Sequence, residues 1–144
     1  MKKMICLLVI VLMIASVAFA AKKMMITPND LAGLKGTWEG MLDFGVMGGT
    51  SASAPCKLEL LNDAVPVKMK LTLLNVPDFV AQQLGITGGT NVVENNDGVI
   101  TSQGTVMWTG AEKNFFEISL SGEKKLSANY YFRTVKGYAS LKKK

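Results

Sequence analysis

The sequence predicts an all-β fold: an eight-stranded antiparallel up-and-down β-barrel, with a short helical turn before the first strand and one short helix between the third and fourth. Three observations carry that expectation. Apolar residues recur at every second position in run after run. The clearest case is Val65, Val67, Met69, Leu71 and Leu73 against Lys68, Lys70 and Thr72, the period of a strand buried on one face. The runs are separated by clusters of Gly, Asn, Asp and Lys that suit tight turns, so neighbouring strands read as hairpins. Closing such a meander removes the unpaired edges an open sheet would leave.

Residues 1–20 read as a targeting segment outside the fold. Lys2 and Lys3 are its basic start, Ile5 to Ile14 its apolar run, and Ala18-Phe19-Ala20 a small-x-small cleavage site. The apolar run is shorter than the roughly 20 residues of a membrane-spanning helix. The expected mature chain is therefore one β-barrel domain over 21–144, exported to the periplasm or beyond the cell. The full chain carries 16 basic and 11 acidic residues. Loss of Lys2 and Lys3 leaves 14 against 11, a net +3, with three of the fourteen at the terminal Lys142, Lys143 and Lys144. That balance gives no basic stripe for nucleic acid. It leaves a lysine tail, Lys142–Lys144, for weak contact with anionic membrane surfaces. Of two cysteines, Cys6 leaves with the targeting segment and Cys56 remains, so no internal disulfide is available and burial as a small apolar residue is expected.

Taken in order, Thr27 is placed to cap a turn that Pro28 starts, and Leu31 and Leu34 share its apolar face. Gly36-Thr37-Trp38-Glu39-Gly40 opens the first strand, Thr37 to Phe44. Trp38, Leu42 and Phe44 lie on one side, and Trp38 forms a bulky plug at one barrel end. The Gly- and Ser-rich stretch from Gly45 to Ala54 reads as a loop. The second strand runs from Cys56 to Leu61 and the third from Val65 to Leu74, with Asn62-Asp63-Ala64 turning between them. Asn75 to Gly89 interrupts the meander with a short helix carrying Phe79, Val80 and Leu84, read either as a lid over a barrel mouth or as a surface crossover whose apolar residues patch the core. Asn91 to Glu94 is a short fourth strand, and Asn95-Asn96-Asp97-Gly98 carries the strongest turn signal in the chain. Val99 to Thr109 follows, with Gly104 as a bend. Then come a strand with Phe116, Ile118 and Leu120 inward, a strand from Leu126 to Val135, and a last short one from Tyr138 to Leu141.

Gly36-Thr37-Trp38, preceded by a helical turn, resembles the G-x-W motif at the first strand of lipocalins and related calycin barrels. The resemblance implies a lipocalin-like barrel and a basic residue from the last strands packed across the Trp, for which Arg133, the sole arginine, is the candidate. The further lipocalin motifs, a disulfide and a C-terminal helix are not evident in the sequence.

The chain has no histidine, which removes the usual general base and the commonest metal ligand. Its one mature cysteine cannot build a thiolate cluster. The expectation is a non-enzymatic protein with no catalytic residue, metal or cofactor, binding a small hydrophobic ligand or lipid. The candidate interior is Leu42, Phe44, Leu58, Met69, Leu71, Val106, Phe116, Ile118 and Tyr130. Two alternatives use the same pattern: a packed structural or protein-interaction module of the cell envelope, and an outer-membrane barrel with its apolar residues turned to lipid.

Overall fold

A computed structural model describes residues 24–46, 51–110 and 114–144, which leaves the expected targeting segment outside the described residues. Among these, eight antiparallel strands follow one another round a closed barrel. They are β1 (Gly36–Val46), β2 (Ser51–Leu60), β3 (Val67–Leu73), β4 (Val92–Ile100), β5 (Val106–Thr109), β6 (Phe115–Gly122), β7 (Lys125–Phe132) and β8 (Val135–Lys143). β1 pairs with β2 on one side and β8 on the other, which closes the ring. Helix α1 is a 3-10 turn, Pro28–Asp30, continuing into Leu31–Leu34; helix α2 is Asp78–Leu84.

Period-two patterning decides which face is inside. On β3 the residues Val67, Met69, Leu71 and Leu73 are buried while Lys68 is exposed. Pairing then sets inward residues beside inward residues, such as Trp38 opposite Leu58 and Leu58 opposite Leu71. Leu42, Phe44, Leu58, Met69, Leu71, Val106, Phe116 and Ile118 are all fully buried, so side chains fill the middle of the barrel. Cys56 is buried in the same wall, and that burial pushes its thiol up to about 12.

α1 closes one end. Thr27 donates from its backbone N to Asp30 Oδ2 at 2.8 Å and from Oγ1 to the same oxygen at 2.6 Å, which fixes the helix start and holds the Asp30 carboxyl below its usual range. Leu31 and Leu34 are buried with Ile26 in the core that contains Trp38. The indole Nε1 of Trp38 donates to the Leu34 carbonyl at 2.8 Å, so this buried polar group is satisfied by the plug.

Several expected boundaries move, each for a tertiary reason. The Gly/Ser stretch is largely strand: β1 runs on through Gly45 and β2 begins at Ser51, because the hairpin ladder continues to Gly45 opposite Ser51. Val65 and Pro66 belong to the β2–β3 turn instead of β3. Asn62 pins that turn, donating Nδ2 to the Pro66 carbonyl and accepting from Lys68 N. Asn95-Asn96-Asp97-Gly98 is not a turn. β4 runs straight through it, paired to β3 with Asp97 opposite Lys68 and Asn95 opposite Lys70. Gly98 is needed for close packing, since a Cβ there would strike Met69 and Val106. The real turn lies at residues 101–105, where Gly104 has φ +72° and accepts from Ile26 N.

The Arg133 expectation is corrected. Arg133 occupies the two-residue turn between β7 and β8, at the end opposite Trp38, and stacks on Phe132 at 4.9 Å. The cation over Trp38 is Lys143, 5.7 Å from the ring, because β8 runs to the plugged end and places residue 143 opposite residue 38. Lys142–Lys144 is accordingly no free tail. Lys143 Nζ donates to the Gly33 carbonyl, Lys144 N to the Thr37 carbonyl at 3.0 Å, and Lys144 Nζ to Glu39.

Candidate functional site: a polar cluster at the unplugged end of the barrel

The end opposite Trp38 is formed by the β3–β4, β5–β6 and β7–β8 connections, and α2 lies there. Its Val80 and Ala81 are buried, and it stops at Gly85, which adopts the left-handed conformation (φ +71°). The excursion is tied at its base: Val76 N donates to the Thr90 carbonyl at 3.0 Å and Gly89 N to the Val76 carbonyl at 2.8 Å. It is tied at its far side too, where Arg133 Nη1 donates to the Gln83 carbonyl and Thr134 Oγ1 to Gln83 Oε1.

Beneath this end lies a pocket of about 300 Å³. Leu84, Ile86, Val92 and Phe132 give it an apolar side, while Glu94, Asn96, Asn114 and Tyr130 give it a polar one. The polar side arises because β4 is turned unusually. Its inward positions are Val92, Glu94, Asn96, Gly98 and Ile100, set opposite the apolar β3 residues Leu73, Leu71, Met69 and Val67. Its outward positions include Val93 and Val99, each about half exposed. β4 thus faces polar groups into an apolar interior.

Those groups are partly satisfied by one another. Asn114, buried at the start of β6, donates Nδ2 to Glu94 Oε2 at 2.7 Å. In the amide orientation that satisfies its neighbours, Asn96 Oδ1 accepts from Trp108 Nε1 at 2.8 Å. Tyr130 is fully buried, its ring set edge-on to Phe44 and Phe116, yet its Oη has no hydrogen-bond partner among the described residues. Glu94 and Asn114 are close enough to influence its titration without meeting it at hydrogen-bonding geometry. Burial raises the Glu94 carboxyl above its usual range, against the opposing pull of the Asn114 hydrogen bond and of the nearby Tyr130 hydroxyl. Burial, then the Glu94 charge, raises the Tyr130 phenol, which keeps it protonated as a donor.

Of the expected interior residues, Tyr130 lines this pocket. Leu42, Phe44, Leu58, Met69, Leu71, Val106, Phe116 and Ile118 lie in the filled body of the barrel and do not line it. Of the lid residues, Leu84 lines it, Val80 is buried in the core and Phe79 is partly buried against that core. Glu94 and Asn96 were missed because the Asn-Asn-Asp-Gly turn signal ended the fourth strand at Glu94, and Asn114 because it closes the turn sequence that starts at Gly110. An unbroken period-two reading of 92–100 would have found the first two, since it places carboxylate and amide on the inward face. No group of three or more His, Cys, Asp or Glu comes together among the described residues.

Comparison with known protein families, curated proteins and solved structures finds no match. The closed eight-strand up-and-down order is compatible with a lipocalin-like fold, as the Gly36-Thr37-Trp38 resemblance implied.

Proposed function

We propose that this chain is an exported, non-enzymatic barrel that binds a small, largely apolar molecule in the pocket at the α2 end. The observation that carries the reading is the Tyr130 hydroxyl, without a hydrogen-bond partner among the described residues, in a side chain that lines the pocket together with Glu94 and Asn114. A buried polar group without a partner costs about 1–3 kcal/mol, and a ligand atom that completes the bond removes that cost. An apolar wall with a few placed polar groups is the usual composition of a small-molecule site. The reading differs from a wholly hollow barrel, because the body is filled and the ligand is confined to one end. Export rests on the arrangement of Lys2, Lys3, the apolar run and Ala18-Phe19-Ala20.

The filled body is also what a packed envelope module would have, and the tied α2 excursion suits that reading. An outer-membrane barrel is not supported: Glu39, Asp43, Lys68 and Asp97 face outward with the apolar set inward, the reverse of what lipid demands. Weak contact with anionic membranes belongs to the proposal in altered form. It would be carried by the exposed Lys124, Lys125 and Lys142, since Lys143 and Lys144 are engaged within the fold. Replacing those three by Gln should abolish low-salt co-sedimentation with anionic vesicles; unchanged co-sedimentation removes the membrane contact.

The main test is native mass spectrometry, with solvent extraction, of protein purified from its own host. A stoichiometric small-molecule adduct lost in Tyr130→Phe or Glu94→Gln protein is expected. An adduct-free protein whose fold is intact, and which also fails to bind apolar fluorescent dyes, would leave the packed-module reading in place.

A further inference from the structure

We propose that the pocket recognises a small primary amine, its ammonium held between Glu94 and Tyr130 and its short apolar body lying against Leu84, Val92 and Phe132. This rests on the pocket reading above and adds the chemical class of the ligand.

Two independent observations meet in the pocket. The first is a half-buried carboxylate on the inner wall of an apolar barrel. Glu94 accepts from Asn114 through Oε2, while Oε1 has no hydrogen bond among the described residues. The ion pairs among the described residues involve Lys57, Lys70 and Lys144 with Glu59 and Glu39, and none reaches Glu94. A carboxylate withdrawn from water without a cation is unfavourable, and a well-packed apolar residue would serve stability better there. The second is the Tyr130 hydroxyl, fully buried and without a partner.

The chemistry that completes both groups is narrow. A carboxylate ligand would meet Glu94 with like charge. An alcohol can donate its O–H to Glu94 and accept from the Tyr130 O–H, but it brings no charge to balance the carboxylate. A primary ammonium brings three N–H donors and a positive charge, so it can donate to Glu94 Oε1 and to Tyr130 Oη together and supplies a counter-ion that no described residue provides. Asn96 does not compete, since its Oδ1 is taken by Trp108. The volume of about 300 Å³ is at the small end for ligand pockets, which fits a short aliphatic chain or a single ring in place of a long acyl chain.

The test uses three ligands of one chain length: hexylamine, 1-hexanol and hexanoate. Each is titrated calorimetrically at neutral pH into the mature protein stripped of any adduct. Hexylamine should bind at least about tenfold more tightly than hexanol, with hexanoate weakest. Glu94→Gln should bring the amine down to the alcohol's level, and Tyr130→Phe should weaken the amine severalfold, with each variant's fold checked by circular dichroism. Rising salt should weaken the amine and leave the alcohol alone, a readout that needs no variant. Equal binding of all three ligands, or an amine preference that survives Glu94→Gln, overturns the amine class while leaving a pocket. No binding by any of the three sinks the pocket reading itself. Lys113 precedes Asn114 in sequence and lies outside the described residues. An amine preference that emerges only in Lys113→Gln would mean that a chain lysine holds the ammonium position, and would overturn the proposal.

Discussion

Glu94 gives the site a pH signature even without ligand. Burial raises its carboxyl in the folded state, while in the unfolded chain it titrates at about 4.3. A raised folded value means that the folded protein binds the proton more tightly. Its contribution to stability is therefore fully present below the unfolded value, and is lost as pH rises through the folded one. Glu94→Gln, which cannot ionise, should match the wild type near the acid end and exceed it in stability above neutrality. Urea midpoints across that range check this, and parallel curves for the two proteins would show that Glu94 is not strained by its setting. Trp38 is the opposite case, a buried group wholly satisfied by Leu34 and covered by Lys143. Trp38→Ala should cost about 3–5 kcal/mol in chemical denaturation, and a loss below about 1 kcal/mol would place the plug elsewhere.

At the scale of elements, β8 shows what a terminal sequence can hide. Lys142-Lys143-Lys144 has the composition of a solvated end, yet residue 143 stands opposite Trp38 and Lys144 N reaches the Thr37 carbonyl. Deleting the three residues should lower stability by about 1 kcal/mol or more, since it removes barrel-closing hydrogen bonds. Unchanged urea midpoints would return them to the status of a tail. The strands were legible wherever one face is apolar, as in β3 and β6, because alternation reports burial directly. β4 was not legible, because its inward positions hold Glu94 and Asn96 and its outward ones Val93 and Val99. Local turn chemistry at Asn95–Gly98 outweighed a pattern that only pairing with β3 explains. The plug of α1 and Trp38 could be read from the sequence, whereas the choice between Arg133 and Lys143 depended on where β8 ends.

For the whole molecule, the two ends of the barrel do different things. At one, α1, Trp38 and Lys143 close the core, with the Trp38 indole partnered by the Leu34 carbonyl and the Lys143 ammonium by the Gly33 carbonyl. At the other, Leu84 of α2 lines a pocket where Tyr130 Oη has no hydrogen-bond partner among the described residues. The body between them is filled by buried side chains. The interior expected from the sequence was drawn from the apolar alternation, and that alternation marks the packed body. The site lies where the alternation carries polar residues instead. The most direct measurement is an amide chemical-shift map of the ¹⁵N-labelled protein over residues 21–144 titrated with hexylamine. Saturable shifts should cluster on Leu84, Glu94, Gly110, Asn114 and Tyr130, with Trp38 and Leu34 unmoved. Shifts centred on the α1 end, or none at concentrations where the fold is intact, would contradict the account.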